Sequence, residues 1–445
     1  MYGSTKASLT NIDNTIAGAG VIYVNSLLIN GAKGVIDANR ATGGGLIVNG
    51  TIANDGLIEA TNGGVVNLDT VDGSGGGVIL ADGGSVELSN VIGGTLETVG
   101  GSIMTMHDGV LDGATSVVNN RGTLRIMGSG GQTTVQGTIN NTGTIVLPDL
   151  GSLEIGAAGV AFTGGGQMTF ANFHGVETVY ARQATTFTNV DNNINGTLNL
   201  GGLEGSPAFT LVNEAKGIIN ANVTGPMIVD TGANTVINVG LIEASAAGGL
   251  VVKSAIDNTG ELKAVSASTL VVDGAVSGNG VAVINGGRLI FKSSFSEKVI
   301  FNGTSGPASA SGLLLLEQSQ TYAGSIVNFA HNVHTVLDLR DIAFVGAGEA
   351  TYSGTAQRGT LTVTDGTHTS HIALQGNYLG VVFKAKSDGF GGTSVFDVAK
   401  AAASHHTFVA AAASLGGGAG GAASMTHDAW RAPEPMLAKP GVVSA

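Results

Sequence analysis

The sequence predicts an all-β fold, a right-handed parallel β-solenoid (β-helix) with roughly 20–23 residues per coil. Three observations predict it: a strand pattern anchored on a glycine recurs along the chain, its copies are regularly spaced, and asparagines precede the glycine. We expect a C-terminal β module to cap the coils and a low-complexity tail to follow it.

The recurring strand pattern alternates apolar and polar residues. In Thr51–Ala60, large aliphatic Ile58 stands two positions after Gly56, apolar Ala60 stands four positions after it, and Glu59 lies between them. Because successive side chains of a strand point to opposite faces, this alternation predicts one buried and one exposed face. The aligned glycines are Gly34, Gly56, Gly122, Gly143, Gly217, Gly240 and Gly260.

Asparagine stands two residues before most of these glycines. Both residue types tolerate positive φ, which a sharp corner between strands requires. When coils stack, corner asparagines lie above one another, so we expect their amides to form ladders from coil to coil. The aligned residues are Asn54, Asn120, Asn141, Asn238 and Asn258.

The spacing of the glycines predicts the winding. The interval from Gly34 to Gly56 is one predicted coil, and the interval from Gly56 to Gly122 is three times as long, which predicts three further coils of that length. Roughly 14 coils stacked at ~4.8 Å would extend on the order of 70 Å. Parallel crossovers favour the right hand. The chain lacks the regular Leu/Asn frame and the helical segment that a leucine-rich repeat requires.

A longer repeat and a change in composition predict four regions. Phe187–Asn192 repeats Leu9–Asn14, and Gly56–Ala60 recurs unchanged as Gly240–Ala244. We therefore expect a first long repeat over 1–183 and a second, partial repeat over 184–294. Residues 295–398 would form the β module that covers the open end of the coils. The Ala/Gly/Pro-rich residues 399–445 would be a mobile tail that carries an export signal.

Composition excludes several classes of function. The net charge of −13 argues against a nucleic-acid partner, and the absence of cysteine excludes a disulfide framework and a thiolate metal site. No apolar run reaches the ~20 residues of a membrane-spanning helix. Met1–Lys6 lacks the apolar core of a signal peptide, so we expect either a fragment of a longer protein or a C-terminal export signal.

The coil pattern of residues 1–292, with Leu9–Gly20, resembles the β-helical repeats of large bacterial exported proteins. These include autotransporter passengers and filamentous-haemagglutinin-like adhesins. Gly359–His368 and Ser387–Thr393 resemble C-terminal modules of repeat-rich exported proteins, some of them type I secretion substrates. The resemblance implies an extracellular or outer-membrane-associated cell-surface location, although the calcium-binding Gly-Gly-x-Gly-x-Asp nonapeptide is missing.

Calcium is the cofactor to which the sequence gives candidate ligands. Asp338, Asp341, Asp365 and Asp388 offer the hard oxygen atoms that calcium prefers. Asp-Gly is also a common turn pair, so Asp365 and Asp388 equally predict tight turns. The His pairs 331/334, 368/371 and 405/406 lack the convergence of three or four ligands that a zinc site needs.

A carbohydrate-active β-helix enzyme, a polysaccharide lyase or glycosidase, is the alternative function. Its carboxylates would come from Asp69, Asp72 and Asp82, or from the repeat equivalents Glu59 and Glu243. Solvated corners and strand faces explain the same residues. We therefore predict a non-enzymatic exported adhesin or structural rod without catalytic residues. Its partner would be a host or matrix surface, including glycans, while a calcium-dependent secreted protein is the third hypothesis.

Overall fold

The computed structural model describes residues 8–127, 132–148, 151–171, 177–202, 209–302, 312–329 and 334–398. These residues belong to one compact unit. The fold is nearly all β, with mostly parallel strands stacked as a β-solenoid of about 14 turns. The predicted tail, residues 399–445, lies outside the described residues.

Each full coil contributes a strand to three parallel sheets, visited in the order sheet 1, sheet 2, sheet 3. In the early coils a single long strand bends from sheet 3 into sheet 1 of the next coil. The first of these strands are β1 (Leu9–Asn11), β2 (Thr15–Ala17), β3 (Gly20–Asn30), β4 (Val35–Ala38), β5 (Leu46–Asn54), β6 (Leu57–Thr61), β7 (Val65–Asp72), β8 (Val78–Asp82), β9 (Ser85–Ile92), β10 (Gly94–Val99) and β11 (Met104–His107).

The middle coils keep the same order. Their strands are β12 (Gly109–Asn120), β13 (Thr123–Met127), β14 (Gln132–Asn141), β15 (Thr144–Leu147), β16 (Ser152–Thr163), β17 (Gln167–Phe170), β18 (Glu177–Ala181), β19 (Thr186–Asn189), β20 (Asn193–Gly196), β21 (Leu198–Gly201), β22 (Thr210–Asn213), β23 (Ile218–Ala221), β24 (Met227–Asp230), β25 (Val236–Asn238), β26 (Leu241–Ala244), β27 (Leu250–Val252), β28 (Ile256–Asn258), β29 (Glu261–Val265), β30 (Thr269–Val272) and β31 (Val276–Gly278).

After β31 the described coils contribute strands to sheets 3 and 1 only, and antiparallel strands complete the unit. These strands are β32 (Val281–Asn285), β33 (Arg288–Phe291), β34 (Lys298–Phe301), β35 (Gly312–Leu316), β36 (Ser325–Val327), β37 (Thr335–Leu339), β38 (Ala350–Gly354), β39 (Arg358–Thr364), β40 (Thr369–Gln375), β41 (Val382–Ser387) and β42 (Thr393–Val398), with a short 3₁₀ helix at Ser319–Thr321.

The core confirms the predicted alternation. Ile58 stacks between Ile36 and Ile79 in sheet 2, and Ile36 and Ile58 are fully buried. Glu59 points outward beside Asp37 of the coil before. Aliphatic side chains stacked in this way fill the interior of every described coil, so each coil depends on its neighbours to bury its apolar face.

Coil lengths vary more widely than the glycine spacing predicts. The step from Ile36 to its stacking partner Ile58 has the predicted length. The step from Ile79 to Leu96 is shorter than the predicted range, and the step from Leu200 to Val229 is longer. Corner loops absorb these differences, because the strands keep their register.

The expectation that Gly56 and Gly122 lie three coils apart on one sheet is wrong. Three coils after Ile58, sheet 2 reaches Asn120, through Ile79 and Leu96. The strand after Gly122 instead belongs to sheet 3, where Leu124 stacks on Met104. The glycine-anchored strand therefore moves from sheet 2 in the first coils to sheet 3 in the middle coils.

The aligned glycines allow the backbones of neighbouring coils to approach closely. Contrary to expectation, they do not adopt positive φ. None of the seven lies in the left-handed region. A Cβ on Gly240 would lie 2.3 Å from the carbonyl oxygens of Glu214 and Gly217, and one on Gly260 would lie 2.1 Å from that of Gly240. Each glycine thus lets the next coil settle against the one before it.

Asparagine ladders confirm the predicted corner stacking. Near the start of the chain, Asn11 Nδ2 donates to Asn30 Oδ1 at 2.9 Å, and Asn30 Nδ2 donates to Asn54 Oδ1 at 2.8 Å. In the second copy of the long repeat, Asn189 donates to Asn213 at 2.9 Å and Asn213 to Asn238 at 2.8 Å. The same bonds therefore recur in both copies.

The second ladder ends on a carboxylate. Asn238 donates to Asn258 at 2.6 Å, and Asn258 donates to Glu297 Oε2 at 2.8 Å. Glu297 is buried, and burial is the main reason that its pKa rises to about 7; the hydrogen bond from Asn258 opposes the rise. Phe295 lies nearby in the chain, stacked between Phe291 and Tyr322 with ring centroids 3.7 and 5.7 Å apart.

Antiparallel strands cover the last coils. Strand β40 pairs with β36 in the parallel direction, and β42 pairs with β37 in the antiparallel direction, so both sheets that reach this point gain a neighbour. Parallel pairing between successive coils continues well past residue 295, up to β37, and the antiparallel meander that supplies β40 begins at β38. Within the region predicted as the C-terminal β module, Val336–Leu339, Thr360–Thr364 and His371–Leu374 lie in β37, β39 and β40.

Charged residues of alternating sign follow the strands of sheet 1 in successive coils, and we call this series the charge ladder. Lys253 Nζ lies 3.3 Å from Asp230 of the coil before, and Lys292 Nζ lies 2.8 Å from Asp273. The backbone register places each member next to the following one. In order, the members are Asp230, Lys253, Asp273, Lys292, Glu317 and Arg340.

Candidate functional site

The structure brings Asp338 and Asp388, two of the four calcium candidates, near each other. Asp338 is buried on β37, and burial first, then the charge of Asp388, raises its pKa to about 6. Asp388 Oδ2 lies 3.2 Å from Nε of Arg340, and its Oδ1 accepts the backbone N–H groups of Phe390 and Gly392. Asp388 therefore holds a turn and ends the charge ladder.

The other two candidates lie in separate networks. Asp341 accepts the hydroxyl of Ser319 at 2.5 Å and the backbone N–H of Gln320. Asp365 accepts the backbone N–H groups of Thr367 and His368, and these bonds hold its pKa well below its usual range. Within the described part of the chain, no three His, Asp or Glu side chains converge as metal ligands.

The described histidines of the predicted pairs also point to different partners. His368 Nδ1 lies 3.0 Å from Asp365 Oδ2, while His371 Nδ1 lies 3.2 Å from the hydroxyl of Thr362. His331, His405 and His406 lie outside the described residues. The pair 368/371 thus belongs to a turn and a strand and not to one site.

The carboxylates weighed for an enzyme are dispersed in the same way. Glu59 faces outward near Asp37 and Asp82, and partial burial, followed by these two charges, raises its pKa. Glu243 forms an ion pair with Lys263 of the next coil at 2.9 Å. Asp72 accepts the backbone N–H of Ser74 in a turn. Asp69 is different, because it lines a groove.

This groove, which we call the polar groove, crosses neighbouring coils on the outer face of sheet 3, where the chain turns into sheet 1. It has a volume of about 260 Å³. His107 Nε2 lies 2.7 Å from Glu87 Oε2 at one end, and Asp69 Oδ2 accepts the backbone N–H of Gly50 at the other. The groove is lined by Asn49, Asn67, Leu68, Asp69, Glu87, Leu88, Ser89 and His107.

Parallel register arranges these side chains in two columns. Asn67 stacks on Glu87, which stacks on Thr105. Asn49, Asp69, Ser89 and His107 directly follow residues that stack on one another, and so form the second column. The predicted site residues do not include Asn49, Asn67, Glu87, Ser89 and His107, because their alignment depends on the lengths of successive coils, which the glycine pattern gives only in part.

A second groove, about 660 Å³ in volume, follows the glycine column of the middle coils. Its floor is formed by Gly217, Gly240, Gly260 and Gly280, and Val239 and Thr259 form part of its wall. It exists because glycine recurs in register and leaves no side chain there. The backbone N–H groups of the strands that follow these glycines are already bonded to the coil before.

Among the described residues, no helix has the length and apolar content needed to cross a bilayer. Comparison of the chain with protein-family models and with curated proteins finds no match.

Proposed function

We propose that the chain is an exported bacterial β-solenoid that works without catalysis, as an adhesin or structural component at the cell surface or outside the cell. The supporting observation is the recurrence of one hydrogen-bond ladder in both copies of the long repeat. Asn11–Asn30–Asn54 and Asn189–Asn213–Asn238 make the same bonds. Duplication of this kind adds surface of one type.

The proposed mechanism is geometric. Stacked coils present outward positions of each sheet at a spacing of ~4.8 Å. Weak contacts made by many such positions add up when they engage one surface together. A host or matrix surface is the partner that this arrangement suits.

Adhesion and export test the proposal. In a bacterial host, the full chain should be accessible to antibody on intact cells or be recovered from the medium. The purified chain should bind matrix-coated or cell surfaces in a saturable manner, and the Ile58→Asp variant, which disrupts the core, should not. Retention in the cytoplasm, or no binding to any surface, would contradict it.

A glycosidase is the second candidate, favoured by the presence of Asp69 and Glu87 in one groove. Such enzymes use two carboxyl groups ~5–10 Å apart. Release of reducing ends from a panel of neutral polysaccharides, pectins and alginate would support it, provided that Glu87→Gln abolishes the release. Uniform inactivity supports the non-enzymatic proposal.

A further inference from the structure

We propose that the polar groove binds a neutral, hydroxyl-rich glycan that lies across successive coils. This inference rests on the proposed adhesive function and names the chemistry of its partner. Four features carry it: polar side chains without a side-chain hydrogen bond to another described residue, their regular spacing, an aromatic ring next in line with them, and the sign of the charge.

The groove holds polar side chains that are not hydrogen-bonded to other side chains or backbone groups of the described residues. Asn49, Asn67 and Ser89 are half-buried, and none of them has a side-chain hydrogen bond with another described residue. By contrast, the side-chain amide of Asn30 donates to the carbonyl oxygen of Gly34 and to Asn54 Oδ1, and the amide of Asn54 donates to a backbone carbonyl of the next coil. An amide or a hydroxyl can both donate and accept, which matches the hydroxyl groups of a sugar.

The columns place these groups in a line. Tyr23 stacks on Asn49 at the head of the second column, followed by Asp69, Ser89 and His107 in the next coils. Tyr23 is 43% exposed. Its ring offers an apolar surface beside the hydrogen-bonding groups, as the C–H face of a pyranose requires. A linear glycan would meet one group of this column per coil.

The charges favour a neutral ligand over an acidic one. Asp69 is exposed, and Glu87 is half-buried and bonded to His107. Carboxylate oxygens accept hydrogen bonds from sugar hydroxyls but repel a uronate or sulfate. The net charge of −13 also disfavours the binding of a polyanion.

Titration calorimetry with the full chain tests the inference. The probes are the hexasaccharides of glucose and of N-acetylglucosamine in β-1,4 linkage, with hexagalacturonate for comparison. At least one neutral hexamer should bind, and hexagalacturonate should bind at least about tenfold more weakly. Asn49→Ala and Asn67→Ala should each weaken binding about tenfold, because each removes one hydrogen-bonding partner.

Thr169→Ala is the matched control. Thr169 is half-buried at an outward position of sheet 3, on β17, and lies far along the stack from the groove. Its substitution should leave binding unchanged, and unchanged melting temperatures should show that all three variants fold. Equal affinity for hexagalacturonate, no binding of either neutral hexamer, or wild-type affinity in both asparagine variants would overturn the inference.

Surface adhesion of the same variants separates this inference from the proposed function. If the chain adheres to surfaces and the asparagine variants adhere equally well, the groove is not the glycan site and the adhesive function stands. If the neutral hexamers bind at the groove and the chain adheres to no surface, the groove is a glycan site and the adhesive function fails.

Discussion

Ile58 and Glu59 are adjacent in sequence, but their side chains lie on opposite faces of the same strand. Ile58 is fully buried between coils, so Ile58→Asp places a charge without a partner among aliphatic side chains. We expect it to reduce the free energy of unfolding by at least about 3 kcal/mol. Thermal unfolding followed by far-UV circular dichroism would measure the loss.

Glu59→Gln is the control on the neighbouring, outward position. The pKa of Glu59 is raised by partial burial and by Asp37 and Asp82, so removal of its charge should leave stability unchanged or slightly increased. Similar losses in both variants would show that the assignment of inner and outer faces is wrong.

Glu297 makes stability depend on pH. Its pKa is about 7 in the folded chain and near 4.5 when unfolded, so the folded state binds the proton more tightly. Stability contributed by the protonated carboxyl is complete below about pH 4.5 and is lost as the pH rises to about 7. The total change is at most about 3 kcal/mol.

Glu297→Gln keeps an oxygen that can accept from Asn258 and removes the titration. We expect the variant to match the wild type near pH 4.5 and to have a higher denaturation midpoint than the wild type at about pH 8. Urea unfolding at both values measures this, and a variant that is equally destabilised at both would refute it.

The sequence predicts whether a side chain faces the core or the solvent more readily than it predicts what that side chain does in the fold. Alternation around Gly56 is enough to place Ile58 inside and Glu59 outside. The burial of Glu297 depends on where sheet 2 ends among the described coils, and no local pattern around residue 297 reports that.

At the scale of the element, the asparagine ladder joins each coil to the next. Asn238 accepts from Asn213 and donates to Asn258, so Asn238→Ala leaves buried polar groups on both neighbours without this partner. We expect a loss of about 3 kcal/mol. Chemical denaturation would measure it.

Asn279→Ala is the matched control, since Asn279 is exposed at the same edge of the coils. It should change stability by less than about 0.5 kcal/mol. If both variants are equally stable, the ladder contributes nothing beyond ordinary surface asparagines.

The shift of the glycine-anchored strand from sheet 2 to sheet 3 could not be predicted from spacing. Gly56 and Gly122 are separated by a whole number of predicted coils, yet the intervening coils are unequal. The coil from Ile79 to Leu96 is short, and the coil from Leu96 to Asn120 is long. The three coils from Ile58 to Asn120 are together shorter than three coils of the length from Ile36 to Ile58. A spacing of three such coils from Gly56 therefore ends beyond sheet 2, at the strand of sheet 3 that follows Gly122. The polar groove extends from Asn49 into these coils, so the spacing of the glycines could not predict which residues line up in it.

At the scale of the whole described unit, the structure gives predicted calcium ligands other partners. Because Asp341, Asp365 and Asp388 already accept hydrogen bonds from the chain, we expect the melting temperature to be the same in excess calcium and in chelator. Differential scanning calorimetry would measure it. A melting temperature that rises and saturates with calcium would support the calcium-dependent secreted protein.

The architecture was predictable because one short pattern is repeated and each copy needs a neighbour. The candidate ligand-binding surface was not, because it is assembled from residues such as Asn49, Asn67 and Ser89 that are ordinary in their own coils. They become a set only through stacking.

The charge ladder restricts which insertions and deletions of coils this stretch of the chain tolerates. Asp230, Lys253, Asp273 and Lys292 alternate in sign, one per coil. Insertion or deletion of a single coil in this stretch brings two like charges into adjacent rows, whereas a change of two coils preserves the order. Related proteins that differ in length in this stretch should therefore differ by an even number of coils.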